Sequence, residues 1–174
     1  MGGKDLRETF EITNHAKAFD YVKKCAADSK PLDENTVKDI HQILMENIFQ
    51  GGIYRNINVR ITGAGFQPPE PNEMYIHVKN FFADMPYKKN MLHPIEFASW
   101  THAEFVRIHP FADGNGRTSR MIMNYQLMSD GWLPVSINKE DRLNYYKTLE
   151  TYAIDGNLEP FANLTAELED KELD

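Results

Sequence analysis

His109-Pro110-Phe111-Ala112-Asp113-Gly114-Asn115-Gly116-Arg117-Thr118-Ser119-Arg120 gathers a histidine, an acid, two glycines and two arginines within one short stretch of a 174-residue chain. A glycine-bracketed turn entering a helix leaves backbone N–H groups that no helical carbonyl can reach, and the helix dipole adds partial positive charge at the same end. The segment is therefore expected to bind anions. His109, between the end of one helix and the start of the next, can stand at a cleft and accept a proton near neutral pH. Asp113 suits Mg2+, an ion that takes one or two protein carboxylates and fills its other positions with phosphate oxygens and water. Gly114 and Gly116 allow phosphate to approach the backbone closely, and Asn115 offers a side-chain amide to a non-bridging oxygen. Arg117 and Arg120, three apart on a helix, share a face and can grip successive phosphates, which points to a polyphosphate. Each feature alone has an ordinary explanation: a histidine at a helix end, an N-capping aspartate, solvated arginines. Their order in one segment is harder to explain that way.

Working outward, Met121, Ile122, Tyr125 and Met128 repeat at helical spacing over 117–129 and Gly131 follows, which predicts a buried central helix with a glycine stop. A helix near 94–107 carries Ile95, Ala98, His102, Phe105 and Val106 to one side and delivers the chain to His109. Over 5–27, Leu6, Phe10, Thr13, Ala16 or Lys17, Ala18, Tyr21 and Val22 fit one amphipathic helix; Asp33 caps another through Val37, Ile40, Ile43, Leu44 and Ile48. Further helices are expected near 73–84, 139–152 and 158–169. The stretch 58–72 differs. Asn58-Val59-Arg60-Ile61-Thr62 alternates polar with apolar, and Gly63, Gly65 and Pro68-Pro69-Glu70-Pro71 oppose helix. A short β-hairpin or extended flap is expected there, an irregular loop being the alternative, with edge backbone free to pair with another chain. The expected fold class is all-α with that flap, as a single domain over 1–174.

Composition narrows the partners. Against 26 Asp and Glu stand 19 Lys and Arg, a net charge of -7, which argues against broad binding to nucleic acid or an anionic membrane. One cysteine, Cys25, has no partner for an internal disulfide and no zinc-type spacing around it, so it reads as a small buried apolar residue in a reducing compartment. No apolar run approaches the roughly 18 residues of a membrane span, and no hydrophobic signal region opens the chain. A cytoplasmic location is expected. A zinc-hydrolase reading through His102, His109 and Asp113 is weak, since His102 has a place in a helical core.

The segment 109–120 resembles, position by position, the signature His-Pro-Phe-x-(Asp/Glu)-Gly-Asn-Gly-Arg-x-x-Arg of Fic-domain proteins. Gly52-Ile53-Tyr54-Arg55 with Val59-Arg60-Ile61-Thr62-Gly63 and Pro68-Pro69 is similar to the family's flap region, and Tyr145-Tyr146 with Gly156-Asn157-Leu158-Glu159-Pro160-Phe161 to its C-terminal helices. The resemblance implies a protein adenylyltransferase that moves AMP from ATP-Mg2+ to a Ser, Thr or Tyr hydroxyl of a target protein or of itself, releasing pyrophosphate. His109 is then the general base, Asp113 the metal ligand, and Gly114, Asn115 and Gly116 the anion hole. Arg117 grips the inner phosphates and Arg120 the γ-phosphate. Ile61, Thr62, Gly63, Phe66 and Pro68 on the flap dock the target. Tyr145, Tyr146 and Tyr152 are candidate adenine contacts but fit a helical core better. Relatives moving phosphate or phosphocholine alter the glycines, which stand unaltered here.

Many relatives carry an inhibitory helix, (Ser/Thr)-x-x-x-Glu-(Gly/Asn), upstream of a stretch like Gly2-Gly3-Lys4-Asp5-Leu6-Arg7-Glu8. The resemblance thus implies an inhibitory element that is separate from this chain or deleted from it, and an uninhibited enzyme. Thr165-Ala166-Glu167-Leu168-Glu169-Asp170 approximates the pattern with a different last residue. The alternatives are a non-catalytic Fic-fold interaction module and, for a full-length form, removal of AMP. A homodimer is left open.

Overall fold

The computed structural model describes residues 2–174 and is built from α1 (Gly3–Ala27), α2 (Glu34–Met45), α3 (Pro71–Met91), α4 (Pro94–Ile108), α5 (Asn115–Ser129), a 3-10 turn (Lys139–Asp141), α6 (Arg142–Asp155) and α7 (Glu159–Leu173). α5 lies at the centre, packed on α4, α1 and α2; α4 in turn carries α3, α6 and α7. Its apolar residues serve two clusters. Met121, Ile122 and Tyr125 join Val22, Ile40, Leu44, Phe81, Trp100 and Phe105, whereas Met123 and Leu127 join Ala98, Tyr145, Phe161 and Leu164. A helix buried on both sides is held from every direction, so its first turn, where the signature lies, is fixed in space. No helix among the described residues is long and apolar enough to cross a membrane.

Local sequence accounts for the helix ends. The Asp33 carboxylate accepts from the Thr36 N–H and hydroxyl, each at 2.8 Å, and so caps α2. Asn14 closes the other end of that helix from α1, its amide donating to the carbonyls of Leu44 (3.0 Å) and Glu46 (2.8 Å). The buried face of α1 coincides with the expected one at Ala18 and Val22 and departs from it elsewhere. Asn14, Ala18, Val22 and Cys25 are buried, while Thr13, Ala16 and Lys17 are exposed and Leu6 is 58% exposed. α3 also runs past its expected end, through Pro86, which removes only one intrahelical donor.

The hairpin expected over 58–72 does not form. The described residues contain no strand, and this segment is irregular up to the start of α3 at Pro71. One turn is closed by the Ala64 N–H on the Ile61 carbonyl at 3.1 Å, with Gly63 at φ 79°. A hairpin needs donors on both arms, and Pro68, Pro69 and Pro71 remove them from one. Side-chain anchors take the place of the ladder: Phe66 packs on the second cluster, Pro68 is buried, and the Gly65 N–H donates to the Glu150 carboxylate.

Asp33→Ala should lower stability by about 1 kcal/mol, the usual cost of losing a cap, seen as a reduced urea midpoint at unchanged slope. An unchanged midpoint would show that the cap contributes nothing.

Candidate active site

α4 stops at Ile108 because His109 enters the left-handed region, φ 53° and ψ 60°. A non-glycine residue held there is strained and needs support. Its N–H donates to the Phe105 carbonyl at 2.8 Å, and its own carbonyl accepts from Arg55 Nε at 2.6 Å. The ring is half-buried, with Nδ1 3.2 Å from the Val106 carbonyl. A carbonyl can only accept, so this bond places the ring proton on Nδ1 and leaves Nε2 with its lone pair. Burial lowers the imidazole pKa to about 4, opposed by the Val106 bond and aided by the Arg55 charge. At neutral pH the ring is an uncharged acceptor, the state a general base requires.

The turn from Pro110 to Gly114 is closed by Asn115. Its side-chain oxygen accepts from the Phe111 N–H at 2.9 Å and its nitrogen donates to the Phe111 carbonyl at 2.7 Å. The amide expected on a phosphate oxygen is therefore buried and turned inward, because the loop's own peptide needs both of its functions. Asn115 faces outward only through its backbone. Gly114, at φ 81°, is the N-cap of α5 and bears no capping side chain. A Cβ there would lie 2.7 Å from Met45 Sδ and 3.4 Å from His41 Nε2, so backbone and packing both require glycine. The N–H groups of Asn115, Gly116 and Arg117 open the helix without an intrahelical partner.

His41, which no sequence pattern singled out, supports the turn from beneath. It is buried, and its ring stacks on Phe111 with centroids 3.6 Å apart and planes at 4°. Nδ1 accepts from the Gly52 N–H at 2.9 Å, so Nε2 carries the proton and donates to the Asp113 carbonyl at 2.8 Å. One sign was legible: a histidine between Ile40 and Leu44 on a buried face, where polar residues are the informative exception.

Asp113 turns its carboxylate outward. Oδ1 accepts from the Gly114 N–H at 2.8 Å, and Oδ2 meets Arg7 of α1 at 2.7 Å. Partial burial works to raise its pKa, but Arg7, the Gly114 N–H and the Arg117 charge outweigh it and hold the carboxyl below its ordinary value. The Arg7 side chain is 45% exposed and that of Asp113 39%, and an ion pair so open to water is worth about 0–1 kcal/mol. Its oxygen can exchange partners at little cost.

Arg117 lies behind this carboxylate, Nη2 3.8 Å from Asp113 Oδ1 and 3.7 Å from Met45 Sδ, while Nη1 is buried with no partner. A buried unpaired donor costs about 1–3 kcal/mol, so a cation kept in that condition beside open N–H groups fits an anion. Arg120 stands one turn on, its Nη1 3.4 Å from where a Gly116 Cβ would be and 3.5 Å from the Tyr145 hydroxyl. That hydroxyl is 2.8 Å from Nε2 of the fully buried His102. His109, Asp113, Gly114, Gly116, Arg117 and Arg120 thus gather at one end of α5. Of the candidate adenine contacts, Tyr145 is core, Tyr152 is half-buried with its hydroxyl on Glu104 at 2.7 Å, and Tyr146 is 57% exposed. Glu169, the glutamate of the C-terminal pattern, accepts from the Leu133 N–H at 2.7 Å and belongs to the packing of α7. On the flap, Thr62 and Gly63 are exposed, Ile61 and Phe66 half-buried, and Pro68 buried.

Asn115→Ala removes two buried bonds that hold the turn. It should lower the unfolding free energy by about 2 kcal/mol at roughly one per bond, read by urea denaturation. A loss within error of zero would mean the turn closes without it.

The Fic/DOC family model matches residues 31–127. The protein adenylyltransferase Fic of Aedes aegypti is 35% identical over 180 residues, spanning all of this chain and 35% of that protein. Its namesake in Drosophila grimshawi is 33% identical over 177 residues, 36% of its length. The chain thus spans about a third of the length of the curated relatives it matches. Among solved structures, a Fic-domain-containing signaling protein from Bacteroides thetaiotaomicron superposes with a TM-score of 0.85 at 25% identity, over 97% of this chain and 70% of that one. Fic-1 from C. elegans gives 0.83 at 27% identity, over 99% and 52%. The chain belongs to the Fic/DOC family.

Proposed function

We propose that this chain transfers AMP from ATP to a hydroxyl of a protein side chain and releases pyrophosphate. One observation carries the reading: an uncharged His109 with a free Nε2 stands at the rim of a turn whose open N–H groups adjoin the buried, unpaired Nη1 of Arg117. The adenylyltransferase names of the relatives support it.

The backbone N–H groups of Asn115, Gly116 and Arg117 receive phosphate oxygens, and Arg117 Nη1 gains the partner it lacks. Arg120, three residues on, binds the γ-phosphate and so aligns the bond between the α-phosphorus and the bridging oxygen. His109 Nε2 removes the proton from the acceptor hydroxyl, whose oxygen forms the new bond to the α-phosphorus. The bond to the bridging oxygen breaks, and pyrophosphate leaves on the arginines and N–H groups. The donor set fits Mg2+. No cluster of three or more His, Cys, Asp or Glu able to hold an ion occurs among the described residues, so a site on the Asp113 carboxylate needs phosphate ligands to complete it. Held by Asp113, such an ion would neutralise phosphate charge. The irregular flap, with Ile61, Thr62, Gly63, Phe66 and Pro68, offers the acceptor protein an unladdered backbone beside the exposed Thr62 and Gly63.

Incubation with α-labelled ATP, Mg2+ and lysate protein should label protein, and His109→Ala should abolish the label while ATP still binds. The uncharged base is the active form, and its pKa of about 4 lies below the ordinary value. Transfer should therefore be flat between pH 6 and 8 and fall only in acid as the ring is protonated. Label that survives His109→Ala, or a rate midpoint near 6.5, the ordinary histidine value, contradicts the assignment. Arg120→Ala should weaken ATP binding about tenfold or more and leave ADP binding within about threefold by calorimetry, one charge-assisted phosphate contact being worth that factor. Equal losses for both nucleotides refute its γ-phosphate role.

A further inference from the structure

Arg55 is the most heavily bonded cation among the described residues, and no step above uses it. It is 3% exposed, and every side-chain bond it makes goes to a main-chain carbonyl. Nη1 donates to Ile57 at 2.9 Å and Nη2 to Pro69 at 2.6 Å, so the guanidinium closes the two ends of the flap. Nε donates to His109 at 2.6 Å, and Nη2 also reaches Ile108 at 3.3 Å. Its backbone extends the junction: the Arg55 N–H donates to Pro110 at 3.0 Å, and its carbonyl accepts from the Tyr75 hydroxyl of α3 at 3.1 Å. A forked planar cation can serve four carbonyls at once, which lysine's single ammonium, on a differently shaped stem, cannot.

We infer that Arg55 is a positioning residue that makes the flap and the His109 turn one mechanical unit, setting the distance between a docked acceptor and the base. The carbonyls of Ile57 and Pro69 mark the flap's ends, and those of Ile108 and His109 mark the base; one side chain joins all four. Nothing else in the flap does this, because it lacks a ladder and its Gly65 anchor goes to Glu150 on α6 instead. What the junction accomplishes for catalysis rests on the proposed AMP transfer; that the two segments move together does not.

The test compares Arg55→Lys and Arg55→Met with the unaltered chain by amide hydrogen exchange and by the fate of α-labelled ATP. Exchange at the bonded amides of both segments, Ala64 and Gly65 in the flap and His109, Phe111 and Gly114 in the turn, should rise together, by about tenfold or more in each variant, the factor expected for a lost charge-assisted bond. α6 and α7 should keep their protection. The ratio of AMP placed on lysate protein to AMP released to water should fall about tenfold, because water needs the base but not the flap; a residue that merely stabilises the fold would lower both equally. Exchange rising in one segment only, or rising equally through α6 and α7 in both variants, overturns the inference. If the unaltered chain moves no AMP, the transfer reading fails and the exchange result still decides the role of Arg55.

Discussion

The two-pronged bond between the Asn115 side chain and the Phe111 peptide is the contact on which the rest of the site depends. Between the strained His109 and the left-handed Gly114, the chain must turn from α4 into α5 without satisfying its own backbone groups. Asn115 closes that turn from above, and His41 supports it from below by stacking on Phe111 and donating to Asp113. Open the closure, and the His109 ring, the Asp113 carboxylate and the first-turn N–H groups lose their common frame.

The helical frame places this turn at the end of the most enclosed element. α5 is buried toward both clusters, so its first turn cannot shift without disturbing the core. The electrostatics follow from the same burial. His109 is kept uncharged, Arg117 holds an unpaired donor inward, and the Asp113 carboxyl is held ionised by Arg7, the Gly114 N–H and the Arg117 charge, of which the Arg7 pair is open to water. An uncharged imidazole beside open cationic donors suits an anionic ligand that carries its own negative charge to the start of α5.

Much of this was legible in the sequence. The signature from His109 to Arg120, the apolar spacing of α5, the Asp33 cap and the all-helical class could be read because each rests on local chemistry or a 3.6-residue period. What stayed hidden rests on long-range geometry. The residue type of Asn115 says that an amide is there but not that it points at its own loop rather than at a phosphate. His41 and Arg55 serve backbone atoms far along the chain, and no local pattern encodes a partner such as the carbonyl of Asp113 or of Pro69. Alternation over 58–62 favours a hairpin or extended flap over the irregular loop that forms, because three prolines on one arm outweigh alternation on the other. In α1 hydrophobic spacing finds Ala18 and Val22, but the inward stripe continues through Asn14, a polar residue that caps α2, which hydrophobicity cannot mark.

A crystal structure of this chain with a non-hydrolysable ATP analogue and Mg2+ tests the central claim most directly. The account predicts phosphates on the N–H groups of Asn115, Gly116 and Arg117, Arg117 Nη1 bonded to a phosphate oxygen, the ion on the Asp113 carboxylate, and the α-phosphorus facing His109 Nε2. Phosphates bound away from the start of α5, or a His109 ring turned from the α-phosphorus with Nε2 bonded elsewhere, would contradict it.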